Sequence, residues 1–433
     1  SSQTIVSFIS TMTLSQLKKA IKVKAKIVRA IPLPPISLRK GPVPIFPPNK
    51  KVKNFFNKLG TTVEITNEKL KILQEVDFWL RRGVDGFRLD AINFCFHDKA
   101  LRDNPSKPEA ERNGVGYTDD NPYAFQYHLY DKTQPENLAF LGEIRKLLEQ
   151  YPGTVALGEV GAENSLETMA EYTHGDDRLH MAYSFQLLVD TFSADYIRET
   201  VKTLEAGIGD GWPCWSISNH DVERVMSRWG GDTQSPEKAK MLSALLFSLR
   251  GSVCSYQGEE LGLPEAELQF HQLQDPYGIT FWPSFKGRDG CRTPMPWDQN
   301  GELAGFTDGK PWLPVPSAHR QLAVSVQEHS ESSVLNAYRQ FLQWRQHQVA
   351  LKFGEIEFLG EDSNVLSFYR HFEGQKILVC FNLSTETAGL NLPADLPMQC
   401  LSGHGFEGAE LDGTQLTLPA FGAYFADCSR TLS

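Results

Sequence analysis

Three acidic residues stand where short apolar runs end: Asp90 ends residues 83–90, Glu159 ends 154–159 and Asp221 ends 214–221. Such runs are typical of buried strands, so we expect a strand before each acid. In a barrel of alternating strands and helices, the active site forms at the C-terminal ends of the strands. Parallel strands would bring the three carboxylates into one pocket, as cleavage of a glycosidic bond requires.

Asp90 and Glu159 suit the two carboxyl roles of a retaining glycosidase, a nucleophile and a general acid/base. Arg88 lies two residues before Asp90 on the same face of the expected strand, where it would keep the carboxylate ionised and oriented. Glu159 follows an apolar run and Gly158, and burial there would raise the pKa of its carboxyl towards neutrality. We therefore predict Asp90 as the nucleophile and Glu159 as the acid/base.

Asp221 and His220 suit a clamp that holds sugar hydroxyls and stabilises positive charge as the bond breaks. The alternative is that each acid caps the helix that follows it, as aspartate often does. Capping explains any one of the acids as well as catalysis does. It does not explain all three together with Arg88 and with Asn219 before His220.

Length and composition indicate a water-soluble protein of two or three domains, with 433 residues, 41% hydrophobic and 22% charged. No run of apolar residues is long enough for a transmembrane helix. The seven cysteines are scattered and form no CxxC pair, which argues against a disulfide framework and a zinc site and suits a reducing cytoplasm. We predict no cofactor and no metal.

The N-terminal end differs from the rest, since residues 1–60 contain twelve Lys or Arg and no acid. Three interpretations remain open: a basic arm for nucleic acid or membrane, a targeting peptide, and a stretch foreign to the fold. Tyr and Trp, which would stack on bases, do not occur there. We therefore expect no nucleic-acid partner.

The middle of the chain predicts five strand-helix units in succession. This order favours an α/β fold with a parallel sheet, and a closed barrel is its most common form. A closed barrel needs eight strands, so we expect a (β/α)8 barrel that lacks its first strands. The predicted strands are 84–90, 155–160, 181–188, 215–218 and 252–257, and the predicted helices are 70–82, 136–151, 166–173, 194–204 and 235–250.

The C-terminal part changes character after a long loop at 258–315 and a last helix at 332–349. Short alternating strands follow, which predict a separate β-sandwich. They cover 355–359, 365–369, 376–382, 415–418 and 423–425. We therefore predict three parts: an atypical basic segment of no recognised fold (1–66), a partial catalytic barrel (67–350) and a β-sandwich (351–433).

Several motifs in this order resemble the α-amylase family of glycoside hydrolases, family 13, from about Asn67 to the C-terminus. They are GFRLD (86–90), LGE (157–159), SNHD (218–221), YQGEELG (256–262) and GRDGCRTPMPW (287–297). The last two look like the exo-acting bacterial α-glucosidases. This resemblance implies a retaining enzyme that removes glucose from the non-reducing ends of short α-glucosides.

The resemblance also implies roles for individual residues. Asp90 would be the nucleophile, Glu159 the acid/base and Asp221 the stabiliser of the transition state. The terminal glucose would be bound by Arg88, His220 and Arg288, and Phe185 would line the acceptor side. Two alternatives stay open: Arg288 as an ion pair that pins a loop, and Phe185 as plain core.

The chain departs from this family in its first residues. The family begins with three further strands and a small inserted domain, which supply an Asp-Tyr pair, a His and often a divalent-ion loop. Residues 1–66 contain no Asp, His or Tyr. A missing start with a frameshift upstream of about residue 63 would explain this, and we then expect poor solubility and little hydrolysis.

Two other functions compete with hydrolysis. A glucosyl-transferring relative would share the acids and differ at the acceptor site. A non-catalytic protein with this fold would be free to lose the three acids, which argues against it. We expect a small α-glucoside as the partner molecule and no membrane, while the oligomeric state stays open.

Overall fold

The computed structural model describes residues 3–8, 14–21, 25–31, 39, 42–66, 71–112, 114–230, 235–360, 364–394 and 397–429. The chain divides into two compact units. The first comprises Ser1–Arg88, Leu138–Leu157 and Asp177–Leu179. The second comprises Leu89–Asn137, Gly158–Asp176 and His180–Ser433. The predicted domain boundaries after residues 66 and 350 stay predictions.

The first unit opens with a four-stranded sheet in the order β1-β2-β3-β4. Its outer pairs, β1 with β2 and β3 with β4, are parallel, and the central pair is antiparallel. The strands are β1 (Thr4–Ser7), β2 (Lys26–Ala30), β3 (Pro42–Phe46) and β4 (Thr61–Glu64), and the helices are α1 (Leu14–Ala20), α2 (Lys50–Phe56) and α3 (Lys71–Leu80).

Successive residues of β2 face opposite sides of this sheet, as they do in any strand. Ile27 packs with Leu14 and Leu17 of α1, whereas Val28 packs with Val52 and Phe56 of α2. Each face therefore has its own small core. Residues 1–66, predicted as a basic segment of no recognised fold, thus form strands and helices in the part that the structure describes, because their short apolar runs supply both faces of a sheet.

The strand before Asp90 also begins in the first unit. β5 (Gly86–Leu89) pairs with β6 (Val155–Val160), whose residues beyond Leu157 belong to the second unit. A Cβ on Gly86 would lie 2.4 Å from the carbonyl oxygen of Val155, so only glycine permits this close approach. All four residues of β5 are half-buried. The prediction of a buried strand is wrong here, since β5 has only β6 as a strand neighbour within the described chain.

The second unit continues the alternation of strand and helix. β8 and β9 are parallel, with Cys214 opposite Ser252, and Ala182 of β7 forms a parallel bridge with Pro213 just before β8. The strands are β7 (Met181–Ser184), β8 (Cys214–Trp215) and β9 (Ser252–Val253). All five strands predicted in the middle of the chain are therefore present, most of them shorter than expected.

The helices follow the predicted order too. None in the described residues has the length and apolar character that crossing a bilayer requires. They are α4 (Glu136–Leu148), α5 (Ser165–Thr173), α6 (Ala194–Ile208), α7 (Val225–Arg228), α8 (Pro236–Ser248), α9 (Pro276–Thr280), α10 (Ser317–Gln321), α11 (Val324–Gln327), α12 (Val334–Gln346) and α13 (Val349–Phe353).

The C-terminal part is a sandwich of two antiparallel sheets that share one core. Leu378 and Cys380 of the larger sheet pack with Leu416 and Leu418 of the smaller one. The larger sheet has the order β10-β11-β12-β17-β14 and the smaller β13-β16-β15. Their strands are β10 (Glu355–Leu359), β11 (Val365–Phe372), β12 (Gln375–Asn382), β13 (Ala388–Asn391), β14 (Gln399–Cys400), β15 (Glu410–Asp412), β16 (Gln415–Leu418) and β17 (Ala423–Asp427). Sequence reasoning missed β13, β14 and β15, which have few buried apolar residues.

Arg370 of β11 joins this sandwich to the end of α8. Its guanidinium is fully buried and donates to the carbonyl oxygens of Ser248 (2.6 Å), Leu249 (2.8 Å), Gly354 (2.8 Å) and Glu355 (3.2 Å). Burial lowers the pKa of Arg370 to about 9. The four carbonyls offset the cost of this burial and are themselves satisfied, two of them at the end of a helix.

Candidate functional site

The turn after β5 brings Asp90 next to Glu159. Asp90 is exposed, and the next residue, Ala91, has a left-handed backbone with φ 44° and ψ 43°. The amide of Ala91 donates a hydrogen bond of 3.1 Å to Oε2 of Glu159. The left-handed turn lets the chain enter a short 3-10 helix at Ile92 directly after this bond. Non-glycine residues adopt this conformation at a cost and mostly where the surroundings impose it, often at functional sites.

Glu159 lies near the end of β6, with only 5% of its surface exposed. Its second oxygen, Oε1, accepts a hydrogen bond of 2.9 Å from the hydroxyl of Tyr183 on β7. Each carboxylate oxygen therefore has a hydrogen-bond donor, one from the turn after β5 and one from β7. A buried carboxyl held in this way is suited to proton transfer at a fixed point.

Asp221 forms a second group with two arginines. Its Oδ1 lies 3.0 Å from Nη1 of Arg288 and 2.9 Å from Nη2 of Arg292. On the other oxygen, His220 Nε2 is 3.5 Å from Oδ2. Arg292 also donates through Nε to the carbonyl oxygen of His220 at 2.6 Å. The carboxylate of Asp221 is thus oriented by charge-assisted bonds from the 287–297 loop.

Arg288 is itself fixed by Asp275, which is buried. Nε and Nη2 of Arg288 each lie 2.9 Å from one oxygen of Asp275. Burial acts to raise the pKa of Asp275, but hydrogen bonds from Arg288 outweigh it and lower that pKa below its ordinary value. Asp289 supports the loop, accepting from the amides of Gln274 (2.6 Å) and Asp275 (2.7 Å). Arg288 therefore forms the ion pair that pins a loop and also contacts Asp221, while its binding of glucose stays a prediction.

The two remaining predicted residues lie in different places. Phe185 follows β7 and is half-buried, and a Cβ built on Gly161 would be 3.5 Å from its ring. It therefore lies just beyond the strand that carries Glu159. Arg88 is on β5 and belongs to the first unit, whereas the other six predicted residues belong to the second.

A cavity of about 690 Å³ opens beside Asp221. Neither Asp90 nor Glu159 lines it. Its ionisable residues are Tyr117, Asp190, Asp221, Glu223, Arg228, Glu265, Glu267 and Lys286. The cavity is therefore large enough for a group of the size of a sugar or larger, and carboxylates outnumber cations on its wall.

Sequence reasoning missed four contributors: Ala91, Tyr183, Asp275 and Arg292. Arg292 lies in the GRDGCR motif and Tyr183 in the predicted strand 181–188, but nothing in the neighbouring sequence distinguishes either residue. In the described part of the chain, no three His, Cys, Asp or Glu side chains come together in a way that would hold a metal ion.

Comparison with known protein families gives two adjoining matches. The model described as alpha amylase, catalytic domain, matches residues 53–354, and that of the maltogenic amylase C-terminal domain matches 356–425. The first match begins before Asn67, so the resemblance reaches further towards the N-terminus than the motifs indicated. These matches confirm the predicted fold class, a fold of the (β/α)8 barrel type followed by a β-sandwich, while the absence of the first barrel strands stays a prediction.

Individual relatives agree with these matches. A probable α-glucosidase of Rhizobium meliloti (strain 1021) is 49% identical over 352 residues, which are 81% of this chain and 63% of that protein. An oligo-1,6-glucosidase of Heyndrickxia coagulans is 30% identical over 387 residues, covering 79% of this chain and 66% of that protein. The crystal structure of an α-glucosyl transfer enzyme matches with a TM-score of 0.81 and 56% identity, over 84% of this chain and 68% of that one.

This chain spans less than two thirds of the length of the first two relatives, 63% and 66%. The matched residues nevertheless include the turn after β5, the end of β6 and the 287–297 loop. A family model that covers most of the chain, together with a relative at 49% identity, shows that the chain belongs to the α-amylase family of glycoside hydrolases.

Proposed function

We propose that this chain is the catalytic part of a retaining α-glucosidase that releases glucose from the non-reducing ends of short α-glucosides. The observation that carries the proposal is the pairing of two strand ends: the amide next to Asp90 bonds the buried carboxylate of Glu159. Retaining glycosidases need two carboxyl groups close together on either side of the bond that breaks.

In the proposed reaction, Asp90 attacks the anomeric carbon and forms a glycosyl ester. Glu159 gives its proton to the glycosidic oxygen as the bond to the leaving group breaks. Glu159 then takes a proton from water, which attacks the ester and frees both glucose and Asp90. Asp221, held by Arg288 and Arg292, stabilises the positive charge that develops on the sugar. Arg88 and His220 bind the glucose, and Phe185 lines the acceptor side.

The proposal is tested by hydrolysis of p-nitrophenyl α-glucoside. The 433-residue chain is assayed beside a longer form that carries the N-terminal part of the Rhizobium meliloti relative. Turnover in either form that disappears in Asp90→Asn supports the proposal. Absence of turnover in both forms contradicts it, as does turnover that survives the substitution. The longer form distinguishes a wrong assignment of the reaction from a correct assignment in which the 433-residue chain has only weak activity.

A second candidate is transfer of glucose to an alcohol, favoured by the 56% identity to an α-glucosyl transfer enzyme. Transfer uses the same acids and differs only in what attacks the glycosyl ester. Product analysis with a large excess of a small alcohol decides between them. Hydrolysis yields mainly free glucose, whereas transfer yields mainly the new α-glucoside.

The compartment is also part of the proposal. The seven cysteines are all free thiols in the structure, and four of them are buried. Thiols in this state suit a reducing compartment, so we place the enzyme in the cytoplasm. Fractionation of cells that express the protein, with detection in the cytoplasmic and secreted fractions, tests this assignment.

A further inference from the structure

The hydroxyl of Tyr183 and the amide of Ala91 donate to different oxygens of Glu159. The hydroxyl approaches Oε1 at 2.9 Å, while the Ala91 amide approaches Oε2 at 3.1 Å. Two donors on separate oxygens fix the plane of the carboxyl group, which a single donor would leave free to rotate.

We propose that Tyr183 is a positioning residue for Glu159: its hydroxyl holds the acid/base carboxyl in the orientation from which it protonates the leaving group. The inference rests on the proposed function, because it assigns Tyr183 a role that acts only through Glu159. Tyr183 is 3% exposed and Glu159 5%. Water therefore has little access to replace the hydroxyl if it is removed.

The burial of β7 gives Tyr183 little freedom. Ala182 on one side and Ser184 on the other are also buried, and the main chain at Ala182 is bridged to Pro213. The ring is therefore held by its neighbours, and its hydroxyl is a rigid support. Catalytic groups need such supports, since a displacement of about 1 Å costs on the order of a hundredfold in rate.

The loss of kcat/KM on substrates with different leaving groups distinguishes a positioning role of Tyr183 from a general disturbance of the fold. A leaving group that is already stable as an anion, such as p-nitrophenolate, needs little protonation, whereas the sugar that leaves from maltose needs it fully. Tyr183→Phe should therefore lower kcat/KM for maltose roughly ten- to a hundredfold and that for p-nitrophenyl α-glucoside by less than about threefold.

The matched control is Tyr172→Phe. Tyr172 is a buried tyrosine on α5 whose hydroxyl accepts a 2.8 Å hydrogen bond from Asn137. Its replacement also removes one buried hydroxyl, so any loss of stability should be similar. It should lower both rates by the same factor, since Tyr172 has no contact with Glu159 among the hydrogen bonds of the described residues.

The two variants are compared with Glu159→Gln and with the double variant Tyr183→Phe/Glu159→Gln, in the 433-residue chain or, where that chain shows no turnover, in the longer form. If Tyr183 acts through Glu159, adding Tyr183→Phe to Glu159→Gln costs little more. Equal losses on both substrates for Tyr183→Phe, or full additivity in the double variant, would overturn the inference. In that case a maltose-selective loss in Glu159→Gln still supports the proposed function, whereas absence of turnover in both the 433-residue chain and the longer form overturns both proposals.

Discussion

Arg288 and Asp275 form a bidentate ion pair, in which two arginine nitrogens each lie 2.9 Å from a separate carboxylate oxygen. The third nitrogen of Arg288 is left to contact Asp221 at 3.0 Å. Asp275 is completely buried as a side chain. The position of Asp221, a candidate catalytic acid, therefore depends on Asp275, whose buried side chain is not in a position to contact substrate.

Asp275→Asn should impair both stability and catalysis. It removes one charge of a buried pair, which costs about 3 kcal/mol of unfolding free energy. It also loosens Arg288, so kcat/KM should fall by roughly tenfold or more. Chemical denaturation and steady-state kinetics measure the two effects.

The control for Asp275→Asn is Glu267→Gln in the same loop. Glu267 and Lys286 are 2.6 Å apart and well exposed, so breaking this pair should cost less than about 1 kcal/mol. Equal stability of the two variants would contradict the assigned importance of Asp275.

Arg370→Met should destabilise the protein strongly. The substitution fills a similar volume but leaves the carbonyl oxygens of Ser248, Leu249 and Gly354 without their donor. Several buried unsatisfied acceptors should together cost about 3–5 kcal/mol of unfolding free energy. The exposed Arg339, which pairs with Glu328 at 3.2 Å, provides the comparison, and Arg339→Met should cost less than about 1 kcal/mol. A small effect of Arg370→Met on the denaturation midpoint would refute this account.

Glu259→Gln should stabilise the protein at alkaline pH. Burial raises the pKa of Glu259 to about 7, so the folded state binds a proton that the unfolded state releases from pH 4.5 upwards. Stability is therefore lost as pH rises from about 4.5 through 7, by about 3 kcal/mol for this group. Gln imitates the protonated form and removes this loss. Melting temperatures of the unsubstituted protein and of Glu259→Gln at pH 5 and pH 8 test this prediction. The increase in melting temperature caused by the substitution should be larger at pH 8.

A negatively charged leaving group should be a poor fit for the cavity beside Asp221. Of its two cations, Lys286 pairs with Glu267 at 2.6 Å and Arg228 donates to the carbonyl oxygens of Val189 and Glu223. Maltose with a phosphate on its reducing-end glucose should therefore show kcat/KM at least roughly tenfold below that of maltose, with a smaller gap at high salt.

Glu223→Gln and Glu223→Asp form a matched pair for this idea. Glu223 lines the cavity, and only the first substitution removes its charge. Glu223→Gln should narrow the gap between the two substrates by about two- to threefold, and Glu223→Asp should leave it unchanged. If the unsubstituted chain turned over the phosphorylated sugar faster than maltose, the claim that the cavity wall repels a negatively charged leaving group would be wrong.

The strand ends and their acids could be predicted because both signals are local. The apolar run at 154–159 ends on Glu159, and the strand predicted at 155–160 has the same bounds in the structure. The partners of these acids could not be predicted, because Arg288 and Arg292 are 67 and 71 residues from Asp221. Pairings between distant loops leave no periodicity in the sequence. The sheet of the first unit was missed because its acid-free, proline-rich composition masked strands only four or five residues long.

Arg370 has a consequence for how the second unit unfolds. The catalytic and C-terminal family models meet between residues 354 and 356, yet Arg370 on the C-terminal side bonds carbonyl oxygens of the catalytic side, those of Gly354 and of Ser248 at the end of α8. Melting the sandwich would withdraw this cation and leave the end of α8 uncapped, so the barrel helices would lose stability at the same moment. The residues matched by the two family models should therefore unfold together, and calorimetry should show one cooperative transition in place of two.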